Sequence, residues 1–207
     1  MTKFASPKPY KHTPKAAAKT SSKGPSQHKI RIIGGEFKRT PIPVVDIPGL
    51  RPTPDRIRET LYNWLNHLWD SHYEDKSVLD LFAGTGALGF EAASRGAAHV
   101  QMVEPNSLAL SHLRQLRDKL KLDRVRIHSQ DALAVVRRMD ASRFDLVLLD
   151  PPFGSDLLAQ VKPFLTAIVK KGGFVYIESD KPIELSEEFA LLRESKAGMV
   201  YFSLFQY

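Results

Sequence analysis

A glycine-rich turn with an acidic residue on either side is the first feature of this sequence that has the composition of a ligand site. Residues 80–89 read DLFAGTGALG, and Glu104 follows 20 residues after Gly84. The glycines satisfy the pattern G-x-G-x-x-G, in which a tight turn brings the backbone close to an adenosine-containing ligand. An acid at that distance typically accepts hydrogen bonds from ribose hydroxyls. The pattern does not distinguish a nicotinamide dinucleotide from other adenosine-containing cofactors.

Asp80 favours a cationic ligand over a pyrophosphate at this turn. We expect its carboxylate at the end of the first strand of a sheet, beside the glycines, where it repels phosphates and attracts an amine. S-adenosyl-L-methionine carries an ammonium and a sulfonium group and no phosphate, so it matches this charge. The residues that we predict to bind it are Asp80, Phe82, Ala83, Gly84, Thr85, Gly86, Glu104, Asp131 and Ala132.

Two of these residues have a second interpretation. Asp131 follows the third predicted strand, where its carboxylate can accept a hydrogen bond from the adenine amino group. The same position also fits the N-cap of the next helix. Phe82 is a candidate for the hydrophobic core as well as for the cofactor site.

A second acidic motif, Asp150-Pro151-Pro152-Phe153, follows the most apolar segment of the chain. Its prolines fix φ near about −65° and lack an N–H, so the corner is rigid and rich in acceptors. The exocyclic amine of a nucleobase is a poor nucleophile, because its lone pair is delocalised into the ring. The Asp150 carboxylate and the Pro151 carbonyl can hold its two hydrogens and direct the lone pair toward a methyl donor, while Phe153 stacks on the base. We predict catalytic roles for these four residues; an ordinary Asp-Pro turn is the alternative.

Strands and helices alternate along the chain from residue 77, which predicts a parallel α/β sheet with crossover helices. Strands are predicted at 77–82, 100–104, 124–128, 144–149 and 174–178, with a closing pair at 189–193 and 199–207. Helices are predicted at 87–95, 107–121, 132–139 and 157–170. Both motifs therefore fall at the carboxyl ends of strands, which is where doubly wound sheets bind their ligands.

Two short strands and an amphipathic helix form a predicted extension ahead of this sheet, over residues 29–70. The strands are expected at 30–33 and 41–45, and Asp55 precedes the helix as its candidate N-cap. One face of this helix is apolar, with Ile57, Leu61, Trp64, Leu65 and Leu68. Residues 71–207 form the predicted cofactor-binding domain, and residues 1–28 a disordered basic tail.

The net charge of +7 is concentrated at the N-terminal end of the chain. Residues 1–29 contain seven Lys and no acid, and residues 30–58 carry a further excess of basic residues. This layout favours contact with a nucleic acid from the N-terminal side. The contact residues that we predict are Arg31, Lys38, Arg39, Arg51, Arg56 and Arg58.

Each part of this basic region also has an interpretation without nucleic acid. A Lys-rich tail with few apolar residues is equally expected of a solvated leader that has no partner. In the helix, Asp55 can act simply as a cap while Arg58 pairs with acids of the main domain.

The composition excludes several classes of protein. The chain has no Cys, so it is not a disulfide scaffold, a zinc-thiolate protein or a thiol enzyme. It has no run of about 18 apolar residues, and its first thirty residues lack the apolar stretch of a secretory signal. We therefore expect a cytoplasmic protein with no membrane contact. The seven His residues show no metal-ligand spacing, so no metal is expected.

These motifs together resemble the Rossmann-like S-adenosylmethionine-dependent methyltransferases, among them the amino-methyltransferases with an N/D-P-P-Y/F/W corner. More narrowly, residues 29–207 resemble the RsmD-type family of bacterial 16S ribosomal RNA guanine-N2 methyltransferases. The narrower resemblance depends on RIIGG at 31–35, GLRPTPDRIRET at 49–60 and NWL at 63–65, beside the two motifs already described. The segment 51–60 is the most specific to the family.

The resemblance implies a Rossmann-like sheet of about seven strands with the last one antiparallel. It implies methyl transfer from S-adenosyl-L-methionine to the exocyclic N2 of one guanine in 16S ribosomal RNA. The partner would be that RNA, or the assembled or assembling small ribosomal subunit, and the basic residues would contact RNA. The Lys-rich leader before His28 is not part of the family pattern. We expect a monomer.

Three other functions remain open from the sequence. The same chemistry could act on a DNA base or on a protein glutamine amide. A nicotinamide-dependent oxidoreductase could use the same glycine turn, although Asp80 and the Pro-Pro corner disfavour it. A non-enzymatic RNA-binding assembly factor is the third. Tyr176 and Glu178, at the end of the fifth strand, either approach the site or belong to an ordinary strand.

Overall fold

The computed structural model describes residues 1, 30–44, 53–139, 141 and 143–207. The predicted basic tail over residues 1–28 therefore lies outside the described residues, apart from residue 1. Arg51 also lies outside them, with the rest of residues 45–52.

Seven strands form the central sheet. They are β3 (Ser77–Asp80), β4 (His99–Val103), β5 (Val125–His128), β6 (Phe144–Leu149), β7 (Val169–Ser179), β8 (Ala190–Ala197) and β9 (Val200–Gln206). Their order across the sheet is β5-β4-β3-β6-β7-β9-β8. The strands from β3 to β7 are parallel, and β9 runs antiparallel to β7 and β8. The predicted fold, including the antiparallel last strand, is confirmed.

One helix precedes this sheet, and the others lie between its strands as the alternation predicts. They are α1 (Asp55–Leu68), α2 (Ala87–Ser94), α3 (Ser107–Lys119), α4 (Ala132–Val136), α5 (Leu157–Val161) and α6 (Leu165–Ile168). The prediction of a single helix over residues 157–170 is wrong. Pro163 lies in a 3₁₀ turn, Lys162–Phe164, that separates α5 from α6, because proline lacks an N–H and clashes with the preceding turn of an α-helix. Among the described residues, none of the helices is long and apolar enough to cross a membrane.

Both faces of the sheet are covered by apolar side chains. Val78, Leu148 and Tyr176 belong to the core on one face, which also contains residues of α1 and α2. Leu79 and Val147 belong to the core on the other face, with residues of α4, α5 and α6. Because side chains alternate along a strand, Asp80 lies on the same face as Val78. A carboxylate at the end of β3 is consequently surrounded by protein.

The N-terminal extension begins with a short antiparallel hairpin. Its strands are β1 (Ile30–Arg31) and β2 (Pro41–Ile42), shorter than the predicted 30–33 and 41–45. Apolar residues of this hairpin pack in the same core as the apolar face of α1. The extension therefore shares a core with the sheet, and the predicted boundary at residues 70/71 stays a prediction.

A buried ionic cluster attaches this extension to α2. The carboxylate of Glu91 on α2 accepts hydrogen bonds from the N–H groups of Ile33 and Gly34, both at 2.7 Å. It also forms ion pairs with Arg95 at 2.9 Å and with Arg58 at 3.8 Å. Glu91 and Arg58 are both fully buried. The cluster joins the hairpin, α1 and α2 at one point.

The structure corrects two predictions in this region. Arg58 is 0% exposed and donates to Asp55, to the Arg31 carbonyl and to the Thr53 carbonyl, so it cannot contact RNA in this arrangement. The alternative, in which Arg58 pairs with acids, is what the structure contains. Asp55 does not cap α1, because Pro54 occupies the N-cap position and Asp55 is the first helical residue.

We expect Glu91→Gln to destabilise the protein by about 3 kcal/mol, because it removes the fully buried carboxylate that pairs with both Arg58 and Arg95 and leaves Asp55 as the remaining acid partner of Arg58. Urea unfolding followed by circular dichroism measures this change. The matched control is Glu36→Gln, which removes an exposed ion pair with Arg124 and should cost about 0.5 kcal/mol or less. Equal losses for the two variants would contradict the assigned role of the cluster.

Candidate active site

The predicted site residues meet at the carboxyl edge of the sheet where the strand order reverses. β3 has β4 on one side and β6 on the other, which makes this edge the topological switch point of the fold. Asp80 ends β3, Glu104 follows β4 and Asp150 follows β6. The structure therefore brings the two predicted motifs into one crevice.

The glycine-rich turn between β3 and α2 needs glycine for backbone and for packing reasons. Gly84 and Gly86 have φ values of +52° and +78°, in the left-handed region that favours glycine. A Cβ atom at Gly86 would lie 2.5 Å from the Cδ2 atom of Leu113 and 2.7 Å from the Phe90 ring. The turn consequently requires glycine at Gly84 for its backbone conformation and at Gly86 for both conformation and packing against the core.

Gly89 lets the first turn of α2 approach Asp80. Its N–H donates to Asp80 Oδ2 at 2.9 Å. A Cβ atom on Gly89 would lie 3.0 Å from that oxygen and 2.6 Å from the Cε atom of Met102. The third glycine of the pattern thus supplies a backbone donor to the acid at the end of β3.

Asp80 retains an unsatisfied acceptor in this environment. The residue is 1% exposed, and its Oδ1 atom has no hydrogen-bond partner among the described residues. Burial raises the pKa of Asp80 to about 7, the Gly89 N–H opposes that shift, and the nearby Asp150 and Glu104 carboxyls add to it. An ammonium group at Oδ1 would supply both a donor and a compensating charge. The chemistry of this position fits a cationic ligand.

Glu104 connects the glycine turn with the start of α3. Its Oε2 atom accepts from the Gly84 N–H at 2.9 Å, and its Oε1 atom accepts from the Asn106 N–H at 2.8 Å. Burial raises the pKa of Glu104, and these two backbone bonds oppose the shift. Each carboxylate oxygen has a second lone pair, so hydroxyl groups of a ligand can still donate to it.

Asp131 is the N-cap of α4. Its Oδ1 atom accepts from the N–H groups of Leu133 at 2.8 Å and Ala134 at 3.2 Å, as the alternative interpretation of this residue describes. Ala132 beside it is buried, and Phe82 packs on the core shared with α4. The contact of these three residues with a cofactor stays a prediction.

The Asp-Pro-Pro-Phe corner forms a tight turn at the rim of the crevice. The carbonyl of Pro152 accepts from the N–H of Ser155 at 3.2 Å and from its hydroxyl at 2.7 Å. Pro151 is buried, Asp150 is half-buried, and Phe153 is 45% exposed. The corner therefore combines a partly desolvated carboxylate with an aromatic ring that is open to solvent.

Two further residues contact or face Asp150. Thr53, ahead of α1, donates its hydroxyl to Asp150 Oδ2 at 3.3 Å. Glu178 on β7 is 2% exposed and accepts a hydrogen bond from the Tyr176 hydroxyl at 3.0 Å. Burial raises the pKa of Asp150 to about 7. Burial and the Asp150 carboxyl also raise the pKa of Glu178 above its ordinary value.

The sequence interpretation missed Thr53 and left Glu178 undecided. Thr53 lies within the most family-specific segment, and its neighbouring arginines were given the functional role instead. Glu178 follows Tyr176 by two residues, the spacing that places both on one face of a strand. That spacing fits an ordinary strand as well, so the signal was ambiguous.

The predicted RNA-contact residues are divided between surface and interior. Arg31, Lys38, Arg39 and Arg56 are exposed, and Arg31 lies 3.6 Å from Asp55 in an ion pair. Arg58 is buried, as described above. In the described part of the chain, no three His, Asp or Glu side chains are arranged to hold a metal ion.

Comparisons with known proteins give a consistent family. The model of the family described as Conserved hypothetical protein 95 matches residues 30–206. A curated Haemophilus influenzae protein, Ribosomal RNA small subunit methyltransferase D, is 35% identical over 185 residues, which are 86% of this chain and 94% of that protein. Its Escherichia coli K12 namesake is 36% identical over 183 residues, covering 86% and 90%. A solved Escherichia coli structure, 36% identical, has a TM-score of 0.76 and covers 86% of this chain and 97% of its own.

We expect Asp80 to make the unliganded protein less stable as the pH rises from about 4 to about 7. The pKa of Asp80 is raised to about 7 in the folded state, so the folded protein binds the proton more tightly than the unfolded chain does. Stability is therefore highest below the unfolded pKa, and up to about 4 kcal/mol is lost by pH 7. Asp80→Asn should flatten this part of the profile.

Urea unfolding at several pH values between 4 and 8 measures both profiles. Asp118→Asn is the matched control, since Asp118 is an exposed residue on α3. A profile for Asp80→Asn that parallels the wild-type profile would contradict the burial effect assigned to Asp80.

Proposed function

The chain belongs to the Conserved hypothetical protein 95 family, and from that premise we propose that it is an S-adenosyl-L-methionine-dependent methyltransferase of small-subunit ribosomal RNA. The finer proposal is methyl transfer to the exocyclic N2 amine of one guanine in 16S RNA, on assembled or assembling subunits. The observation that carries the proposal is the placement of Asp150 and Phe153 beside Asp80 at one sheet edge. Action on ribosomal RNA would occur in the cytoplasm, and we expect the protein to act as a monomer.

The residues around the glycine turn fit S-adenosyl-L-methionine. When bound, this molecule supplies an electrophilic methyl group on a sulfonium. Asp80 Oδ1, buried and unpartnered among the described residues, would accept from its ammonium group. Glu104 would accept from the ribose hydroxyls, and the backbone of Gly84 and Gly86 would allow close approach. Asp131 and Ala132, at the start of α4, would lie against the adenine.

Asp150 would act on the target amine by accepting one of its hydrogens. This hydrogen bond orients the nitrogen lone pair, and most of the catalysis would come from such positioning and from electrostatics. Methylation leaves the nitrogen positively charged, and it must lose one proton to give the neutral product. Asp150, whose pKa is raised to about 7 by burial, can accept that proton and release it to water.

Phe153 and the exposed basic residues would hold the RNA. The ring of Phe153 is open to solvent at the rim, where a base rotated out of its stack can lie against it. Arg31, Lys38, Arg39 and Arg56 are exposed on the N-terminal extension and would contact phosphates. The extension would then position the RNA while the sheet edge carries the chemistry.

We expect labelled methyl groups to move from S-adenosyl-L-methionine to 16S RNA or to small ribosomal subunits, with N2-methylguanine as the product. Asp150→Ala should lose at least about 100-fold in rate, in the range of a missing general base. Asp118→Ala is a control that removes a surface carboxylate. Total DNA, a protein acceptor and no acceptor complete the assay.

Labelled methyl groups in DNA or in protein, with none in ribosomal RNA, would contradict ribosomal RNA as the substrate and identify the labelled acceptor instead. Cofactor binding without transfer to any acceptor would leave the assembly-factor interpretation. Transfer to RNA that persists in Asp150→Ala would move the chemistry away from the Asp-Pro-Pro-Phe corner.

We expect Phe153→Ala to lower kcat/KM for the RNA substrate by about 10-fold or more, because a base–aromatic stack contributes about 1–3 kcal/mol. Phe153→Trp should retain most of the activity, since it keeps an aromatic face. Steady-state kinetics with varied RNA measure the effect. Met199→Ala removes another exposed apolar side chain, in the turn between β8 and β9, and should change nothing. An equal loss in both variants would contradict stacking.

A further inference from the structure

Asp150 and Glu178 are neighbours because of the register between β6 and β7. Leu148 pairs with Tyr176, and Leu149 pairs with Ile177. Asp150 and Glu178 come next on their strands, and side-chain alternation places both on the face that carries Leu148 and Tyr176. Adjacent strands lie about 4.8 Å apart, so the two carboxyl groups lie close together, and the Asp150 carboxyl raises the pKa of Glu178.

Thr53 reaches the same two carboxyl groups from the N-terminal extension. It is 6% exposed, and its carbonyl accepts a hydrogen bond from buried Arg58 at 3.3 Å. Its hydroxyl donates to Asp150 Oδ2 at 3.3 Å and also lies near enough to the Glu178 carboxyl to lower the pKa of that group. One hydroxyl hydrogen cannot serve two carboxylates. A second proton is therefore needed between Asp150 and Glu178.

Glu178 is the better place for that proton. It is 2% exposed, whereas Asp150 is half-buried at the open rim of the crevice, and a buried carboxyl is less costly when it is neutral. The titratable groups that face Glu178 are Asp150, just after the neighbouring strand β6, Asp80 at the end of β3 one strand further, and Tyr176 on its own strand. The charges of the two Asp carboxyls oppose ionisation of Glu178, and burial opposes it further, while the neutral Tyr176 hydroxyl donates to Glu178 and offsets part of this effect. The Tyr176 hydroxyl donates to Oε1, which leaves the other oxygen for the proton.

We propose that Thr53 and Glu178 are positioning residues for Asp150. Protonated Glu178 donates to the Thr53 hydroxyl, and that hydroxyl donates to Asp150 Oδ2. The chain of hydrogen bonds favours the ionised form of Asp150 and leaves its Oδ1 atom to accept from the target amine. Glu178 keeps its proton throughout, and the proton lost by the amine passes to Asp150 and then to water.

This arrangement gives the N-terminal extension a part in the chemistry as well as in RNA contact. Arg58 fixes the Thr53 backbone, and Thr53 fixes the carboxylate that acts on the amine. The role at the amine rests on the proposed methyltransferase function. The hydrogen-bond chain itself requires no substrate, so the two can be tested separately.

The test compares Thr53→Val with Thr53→Ser, and uses Thr60→Val as the matched control. Thr60 donates its hydroxyl to the Arg56 carbonyl on the exposed face of α1, so its loss removes a comparable group away from the crevice. The first measurement is the titration of the Asp150 and Glu178 carboxyl groups by ¹³C NMR. The second is the pH profile of kcat and of KM for RNA.

We expect the pKa of Asp150 to rise by about one unit in Thr53→Val, because a donor to the ionised carboxylate is lost. The acid limb of kcat should move to higher pH by the same amount, which lowers kcat about 5-fold to 10-fold near pH 6. KM for RNA should stay unchanged, since Thr53 does not touch the RNA. Thr53→Ser and Thr60→Val should behave as the wild type.

Glu178 is tested in the same way by Glu178→Gln. The amide is neutral and still donates, so the Asp150 titration and the kcat profile should remain close to those of the wild type. In the wild type, Glu178 should stay protonated at pH values where Asp150 is ionised. Ionisation of Glu178 before Asp150 as the pH rises, or a collapse of kcat in Glu178→Gln, would overturn the proton assignment.

An unshifted Asp150 titration in Thr53→Val would overturn the role of Thr53. Thr53→Ala serves the same purpose if circular dichroism shows that the valine variant does not fold. The outcome for the proposed function is separate. A wild type that methylates no RNA, with the Asp150 titration shifted as expected, refutes the substrate and keeps the hydrogen-bond chain. Methylation of RNA by the wild type, with an unshifted Asp150 titration in Thr53→Val, keeps the substrate and refutes the hydrogen-bond chain.

Discussion

Desolvation of carboxyl groups at one edge of the sheet is the constraint on which the arrangement of the site depends. β3, β6 and β7 are covered on both faces, and each carries an acidic residue at or just beyond its carboxyl end. Burial raises the pKa of Asp80 and of Asp150 to about 7. When these buried carboxyl groups ionise without a partner, they destabilise the folded protein. A cation or a hydrogen-bond donor that binds to them stabilises the ionised form.

The backbone around the edge lowers this cost without neutralising it. The N–H groups of Gly84, Gly89 and Asn106 each donate to a carboxylate oxygen of Asp80 or Glu104. Two of these donors are glycines, and at Gly89 a Cβ atom would collide with Met102 and crowd Asp80. The glycine spacing is therefore needed to bring backbone N–H donors to the buried carboxylates as much as to let a ligand approach. What the backbone leaves unsatisfied, such as Asp80 Oδ1, is what a ligand can bind.

Sequence reasoning succeeded where a local pattern determines the structure. The apolar run of β6, the glycine turn and the position of Glu104 fixed the sheet edge and its candidate residues. Sequence reasoning failed where the role of a residue depends on contacts with residues far away in the sequence. Arg58 has the type and the neighbours of a phosphate ligand, yet burial against Glu91, 33 residues away in sequence, makes it structural. Thr53 had no signal of its own, because its partner Asp150 is 97 residues away.

These two residues together explain why the N-terminal extension is built into the core rather than attached to its surface. A loosely tethered RNA-contact segment would need only exposed charges. Here Glu91 fixes Arg58, Arg58 fixes the carbonyl of Thr53, and the Thr53 hydroxyl reaches Asp150. Each link is buried or partly buried, so the position of the Asp150 carboxylate depends on the packing of the extension. The segment that carries exposed basic residues on its outer side thereby contacts Asp150 on its inner side.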